Sequence, residues 1–404
     1  MSVVDSQSRV LSGMRPTGRL HIGHYHGVLK NWTELQHKYD CFFFVADWHA
    51  LTTHYEHSHE MEDLVYNMVL DWLAVGINPG SSTLFIQSKV PEQAEMYLLL
   101  SMITPLSWLE RVPAFKDQHE KLKEMDIATH GFLGYPLLLS ADIMTYRAGL
   151  VPVGGDQEVH IEIAREISRR FNHLYGREPG FEEHAQMAIK KLGKKTGTIY
   201  RKLRRAYLEK GDDEALETAQ ALLHAQISLT LGDQERLFGY LEGTGKVILP
   251  EPQALLTDYP KLPGLDGQKM SKSADNLITL REAPDDISAK IRKMPTDPAR
   301  MRRNDPGTPE KCPVWQLHQV YSDMQRKEWV KNGCTSAGIG CLDCKKPLID
   351  AIQEELAPIR SEADKLNRDP DVIKNLISEG SEKARDEAQA TLREVREAIG
   401  LDYR

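Results

Sequence analysis

Over the first 180 positions, apolar residues come in short runs that alternate between strand-like and helical spacing. Val10-Leu11-Ser12-Gly13 reads as a short strand, Pro16-Thr17-Gly18 as a turn, and 22–39 as a helix with apolar residues on one face. Further apolar runs at 41–46, 83–86 and 150–153 read as buried strands, separated by helical segments at 61–75 and 91–109. Strand and helix in alternation predict an α/β domain with a doubly wound parallel sheet over 1–180. In such sheets ligands bind at the carboxyl ends of the strands.

The rhythm changes at 181–250, which is helical and carries a basic block at 184–208: Lys190, Lys191, Lys194, Lys195, Arg201, Lys202, Arg204 and Arg205, with no acidic residue. Such a block is read either as a solvated helix face or as a surface for phosphates. Residues 251–289 return to the first domain. A second basic stretch follows, Lys290, Arg292, Lys293, Arg300, Arg302 and Arg303, broken by Pro295 and Pro298. From Pro313 the pattern is all helical, and Ala384, Ala388, Leu392, Val395 and Ile399 form the stripe of a packed helix. A boundary near Lys290 therefore sets off a helical C-terminal domain, 290–404.

The 404 residues carry 51 basic and 59 acidic side chains, a formal charge of -8, which argues against coating nucleic acid by bulk charge. A nucleic-acid partner would need local basic patches. The polar start of the chain and the lack of any long apolar run predict a cytoplasmic protein with no membrane span. Five cysteines in that compartment do not suggest disulfides. Cys41, inside Cys41-Phe42-Phe43-Phe44-Val45, reads as core.

The chemistry concentrates in a few tracts. His21-Ile22-Gly23-His24, at the junction of a strand, a turn and a helix start, and Lys269-Met270-Ser271-Lys272-Ser273 far downstream each set Gly or Ser backbone beside donors suited to phosphate oxygens. In this order they resemble the two signatures of class I aminoacyl-tRNA synthetases. With the longer run from Gly13 to Tyr25, the chain more narrowly resembles the tryptophanyl-tRNA synthetase family of bacterial type. That resemblance implies a Rossmann-like catalytic domain, tryptophan activation by ATP with Mg²⁺, and transfer to tRNA(Trp) by a homodimer.

By the resemblance, His21, His24, Lys269 and Lys272 are the catalytic groups. Arg15, Pro16, Thr17, Gly23, Gly154, Gly155, Asp156, Leu262, Met270, Ser271 and Ser273 complete the ATP site. Tyr135-Pro136-Leu137-Leu138-Leu139-Ser140-Ala141-Asp142 places a carboxylate in an otherwise apolar helix, where it needs a hydrogen-bond partner. The family gives Asp142 the indole N–H of L-tryptophan, with Leu139, Val151 and Val153 as apolar walls. Tyr135 and Gln157 face the amino group, and His49 matches a position near the substrate.

Cys312, Cys334, Cys341 and Cys344, with 21, 6 and 2 residues between them, have ligand-type spacing. Four thiolates suit either zinc or a four-iron four-sulfur cluster. The resembled family has members with a 4Fe-4S cluster beside the anticodon-binding region, which favours iron–sulfur with zinc as the alternative. Residues 181–250 depart from the family and read as a helical insertion. Two other functions stay open: a tyrosyl-tRNA synthetase, against which Ser140-Ala141-Asp142 argues, and a non-catalytic paralogue, against which the intact ATP motifs argue.

Overall fold

The computed structural model describes residues 9–112, 129–176, 180–226, 229–256, 262–268, 270 and 276–403, apart from the side chains of His57 and Asp156. Five strands form one sheet: β1 Arg9–Met14, β2 Asp40–Val45, β3 Ser82–Ile86, β4 Leu150–Val153 and β5 Gln253–Leu256, in the order β3-β2-β1-β4-β5. The β1–β4, β2–β3 and β4–β5 pairings are parallel, with Val10 opposite Leu150, Cys41 opposite Ser82 and Leu150 opposite Gln253. The strand order reverses at β1, the kind of position where open α/β sheets take ligands.

The expected strands are present because their runs are continuously apolar: Cys41, Phe42, Phe43 and Val45 are at most 1% exposed. The fifth strand was not legible. Gln253–Leu256 is a half-exposed edge strand with too few buried positions to mark it.

Helix α1 begins at Ile22, passes through a π-helical turn at Tyr25–Leu29, and ends with Lys30–Leu35. It stops short of the expected residue 39. Gln36 ends it, donating to the carbonyls of Thr33 and Gly76 and accepting from the Asn78 N–H. Helices α2 Asp47–His54 and α3 Met61–Ala74 follow. The segment expected as one helix at 91–109 is two: α4 Glu92–Ser101, then a four-residue turn of helix at Leu106–Leu109. Pro105 separates them, since it disfavours helical backbone in the residue before it.

Further along lie α5 Tyr135–Thr145, α6 Glu158–Tyr175, α7 Phe181–Lys191, α8 Gly193–Lys210, α9 Asp213–His224 and α10 Leu231–Leu241. After β5 come α11 Pro284–Lys293, α12 Pro313–Tyr321, α13 Met324–Thr335, α14 Cys341–Leu366 and α15 Pro370–Ile399. No helix among the described residues is long and apolar enough to cross a membrane.

The chain divides into two compact units. The first takes residues up to Ser12, Gln87–Leu256 and Ser381–Arg404; the second takes Gly13–Ile86 and Thr257–Gly380. In the first unit, α7 to α10 build a core of their own from Ala185, Ile189, Tyr200, Leu223, Leu237 and Leu241. The fully buried Tyr200 hydroxyl is satisfied by the Leu237 carbonyl at 2.5 Å. An ionic network ties this bundle to the same unit's other parts: Arg147 meets Glu235 at 3.1 Å and Glu394 at 2.8 Å, and Lys246 meets Glu235 at 3.1 Å. Stripe residues Ala384, Ala388, Leu392 and Val395 of α15 are at most 1% exposed.

Candidate active site

The nucleotide signature leaves the carboxyl end of β1, in the second unit. Gly18 has φ of +134°, a conformation that a side chain would oppose, and the turn is closed by the Thr17 N–H donating to the Arg15 carbonyl at 2.8 Å. The next residues are laced to the segment that follows the lysine-rich loop. Leu280 N–H donates to the Leu20 carbonyl at 3.1 Å, Ile22 N–H donates to the Ile278 carbonyl at 3.0 Å, and His21 bridges Thr279. Residues 20–22 and 278–280, far apart in sequence, are thus neighbours.

The rings of His21 and His24 stack with centroids 3.7 Å apart, and His21 is 7% exposed. A Cβ placed on Gly23 would stand 3.0 Å from the His21 ring and 3.2 Å from Met270 Sδ. Met270 and Leu262 are buried. Lys269, Ser271, Lys272 and Ser273 lie outside the described residues. The Arg15 guanidinium donates to the Thr53 hydroxyl of α2, and Pro16 is buried while Thr17 is half-buried. On that same helix, His49 is 2% exposed and its carbonyl accepts from Thr52.

Asp71, 2% exposed, stands behind this lacing. It accepts from the Leu20 N–H and pairs with Arg281 Nε at 2.7 Å, so one carboxylate holds both sides of the ladder. Burial pushes its carboxyl up to about 6, against the lowering pull of Arg281. The other face of α1 is anchored by His26, which meets the Tyr321 hydroxyl at 2.9 Å and Glu355 at 3.0 Å, and by Lys30 on Glu355 at 2.6 Å.

The amino-acid tract lies in the first unit, on α5. Tyr135, Leu139 and Asp142 are four and three residues apart and share one helix face. Asp142 is fully buried: Gln87 Nε2 donates to both its oxygens at 2.9 Å, and Gln93 Nε2 donates to Oδ1 at 2.7 Å. Gln93 in turn accepts from the Tyr146 hydroxyl at 3.2 Å. Burial and the Asp142 charge push the Tyr146 phenol well above its usual range, so it stays a donor.

Tyr135 sits edge-on to His160, with centroids 5.9 Å apart. At the helix start, a Cβ on Gly134 would crowd the Tyr97 hydroxyl. Leu139 and Val153 are half-buried and Val151 is buried. After β4, Gly154 is extended, Gly155 is exposed with open space where a Cβ would stand, and the Gln157 N–H caps the turn on the Gly154 carbonyl at 2.8 Å. Asp156 belongs to that turn.

Sequence reasoning missed Gln87 and Gln93 as partners of Asp142. The one available signal was the position of Gln87, polar and directly after the apolar strand β3.

The cysteines gather in the second unit. Cys312 precedes α12, Cys334 lies in α13, and Cys341 and Cys344 open α14. No disulfide links them. Burial, and then the charges of Cys312, Cys334 and Cys341, push the Cys344 thiol up to about 12. Cys344 Sγ is 3.4 Å from His318 Nε2, and Arg300 Nη1 is 3.8 Å from Cys334 Sγ. Gly307 must be glycine for this packing, because a Cβ would stand 2.6 Å from Cys334 Sγ. Among the described residues, no three His, Cys, Asp or Glu side chains are already disposed to hold a metal ion.

Comparison with known proteins gives the family of the chain. The family profile described as class I tRNA synthetases (W and Y) matches residues 5–200 and 227–357, so the unmatched interval inside the helical block is narrower than the 181–250 read as an insertion. The tryptophan–tRNA ligase of Ralstonia nicotianae is 63% identical over 395 residues, covering 98% of this chain and 99% of the relative. That of Thermotoga maritima is 42% identical over 397 residues, covering 98% and 100%. The crystal structure of the Campylobacter jejuni tryptophanyl-tRNA synthetase complexed with ADP and tryptophan superposes with a TM-score of 0.72 at 26% identity, covering 97% of this chain and 100% of that one. The chain therefore belongs to the class I tRNA synthetases of the tryptophan and tyrosine family, among its tryptophan–tRNA ligases.

Proposed function

We infer that this protein activates L-tryptophan with ATP and transfers it to tRNA(Trp). The observation that carries the reading is the buried Asp142 carboxylate, aimed by Gln87 and Gln93 and sharing a helix face with Tyr135, in a chain 63% identical to a tryptophan–tRNA ligase. In the first step a tryptophan carboxylate oxygen bonds to the α-phosphorus while the bond to the bridging oxygen breaks, releasing pyrophosphate. In the second, a terminal ribose hydroxyl of the tRNA attacks the adenylate carbonyl and AMP leaves. No protein nucleophile is needed; positioning and charge stabilisation do the work, and Mg²⁺ enters on the triphosphate.

His21 and His24 donate to the phosphates, Gly23 leaves room for adenosine, and Lys269 and Lys272 meet the charge that builds on the departing pyrophosphate. Arg15, Pro16, Thr17, Leu262, Met270, Ser271 and Ser273, with Gly154, Gly155 and Asp156, are assigned to ATP. Asp142 accepts the indole N–H; Tyr135 and Gln157 are assigned to the amino group, and Leu139, Val151, Val153 and His49 to the side chain. Tyrosine carries its side-chain donor, a phenolic O–H, at the end of a single ring, so it does not reproduce the position of the indole N–H on Asp142. Tryptophan-dependent exchange of labelled pyrophosphate into ATP, run beside tyrosine, tests the assignment. Exchange with tyrosine only, or with neither, overturns it.

The four cysteines are assigned to a 4Fe-4S cluster, with zinc as the alternative. Four soft thiols grouped beside the cationic Arg300 and the buried Lys345 suit an anionic metal–thiolate centre in donor chemistry. Such a centre would tie the ends of α12, α13 and α14 together as a structural cross-link. Iron, sulfide and zinc analysis after anaerobic purification decides between them, and absence of all three removes the assignment. The functional segments are 1–180 for nucleotide and tryptophan, 181–250 as insertion, 251–289 with the lysine loop, and 290–404 for the anticodon region. The enzyme is taken to work as a cytoplasmic homodimer.

A further inference from the structure

The helical block that tryptophan activation leaves unused has a sharply divided surface. On α8, Gly197 and Tyr200 are buried against the block's core, Gly197 so closely that a Cβ would stand 3.1 Å from the Ile189 carbonyl. The solvent-facing flank carries Lys194, Thr198, Arg201 and Arg205, spaced four, three and four residues apart, with Lys195 and Lys202 on the adjacent row, farther round from Gly197, and Lys190 at the end of α7. All of these are exposed. The row from 194 to 205 spans about 16 Å.

Two of the eight cations in this stretch have structural work. Lys191 pairs with Asp233 at 2.6 Å, and Arg204 lies 3.9 Å over the Tyr240 ring while donating to the Tyr240 carbonyl at 2.6 Å. Arg201 and Arg205 make only long contacts, to Gln186 at 3.5 Å and Glu209 at 4.0 Å. Lys190, Lys194, Lys195 and Lys202 form no ion pair among the described residues. A single-sign face on a protein of formal charge -8 costs self-repulsion that an anionic partner relieves.

We propose that this face of α8 and the end of α7 docks on the sugar-phosphate backbone of the tRNA. The inference rests on the tRNA-ligase reading and adds to it a binding surface on residues that the family profile leaves partly unmatched. Lysines on a helix supply point charges for phosphates and no base readout, so the contact adds affinity without choosing the anticodon.

The test compares the full-length enzyme with the triple variant Lys194→Ala, Lys195→Ala, Lys202→Ala. Binding to tRNA(Trp) transcript is measured by fluorescence anisotropy across a salt series, and tryptophan-dependent pyrophosphate exchange is measured in parallel. The expected result is a roughly tenfold weaker tRNA affinity and a slope of log K against log salt shallower by roughly two to three, with exchange unchanged. A matched variant, Lys365→Ala, whose lysine pairs with Glu362 on α14, should change neither. Unchanged affinity and slope in the triple variant would overturn the proposal, as would dissociation of a dimer seen by sedimentation with tRNA affinity intact. Loss of exchange in the wild type would instead count against the catalytic reading, while tRNA affinity still reports on this face.

Discussion

Replacing Asp142 is the sharpest test of its proposed role in choosing the amino acid. Asp142→Asn keeps the side-chain shape but turns one acceptor oxygen into a donor. Gln87 Nε2 stands 2.9 Å from both oxygens and Gln93 Nε2 stands 2.7 Å from Oδ1, so whichever way the new amide turns, an N–H faces an N–H. An indole N–H on a carboxylate is worth about 1.5–3 kcal/mol, against about 0.5–1.5 for a neutral acceptor. The difference of roughly 1–1.5 kcal/mol corresponds to a tryptophan KM about five- to thirteen-fold higher for Asp142→Asn, and the full loss in Asp142→Ala to roughly ten- to 150-fold. The KM for ATP should hardly move. Leu137→Ala serves as the control: Leu137 is 2% exposed on the same helix, so its truncation costs about 2–5 kcal/mol of stability without touching the carboxylate. Pyrophosphate exchange at varied tryptophan and tyrosine reads all three. Equal tryptophan KM in wild type and both Asp142 variants, or an equal rise in Leu137→Ala, would refute the reasoning.

Two further predictions concern the lacing behind the nucleotide signature. Asp71 has a folded carboxyl at about 6, above its ordinary 3.8, so the folded state holds this proton more tightly than the unfolded chain. Its contribution to stability is therefore fullest below pH 3.8 and declines by roughly 3 kcal/mol as pH rises to about 6. Arg281→Met should extend that decline above pH 6 and Asp71→Asn should flatten it, as read from Tm between pH 4 and 8; parallel curves for all three proteins would disprove the coupling. Gly23→Ala puts a methyl 3.0 Å from the His21 ring and 3.2 Å from Met270 Sδ, and should lower kcat for adenylate formation about tenfold or more with a Tm loss of only a few degrees. A normal kcat would show that this close approach has no part in catalysis.

The sheet and the groups that bear charge were legible in the sequence for the same reason: each is a local departure from a background pattern. The continuous run from Cys41 to Val45 can only be a strand buried on both faces, and its residues are buried throughout. Helix boundaries were less legible, since the break before Leu106 depends on one proline and the end of α1 depends on Gln36 reaching the Gly76 carbonyl, 40 residues away. The fifth strand, half-exposed at a sheet edge, had no pattern to betray it.

The site divides along the same line. Asp142 was visible because a carboxylate in an apolar helix breaks the binary pattern, and a break of that kind is tolerated only where something satisfies it. Gln87 and Gln93 were invisible because a glutamine after a strand or in the first turn of a helix breaks nothing. Their role exists only through contacts across 55 and 49 residues of chain. The same holds for Asp71, which looks like one more acidic residue on α3 until its contacts with Leu20 and Arg281 are seen. Residues that touch substrate must carry unusual chemistry, and a sequence displays chemistry. Residues that aim them need only ordinary amides and carboxylates at the right distance, which the fold alone supplies; hence Gln93→Leu, which deletes one donor to Oδ1 and leaves the carboxylate itself in place, should raise the tryptophan KM nearly as much as Asp142→Asn does.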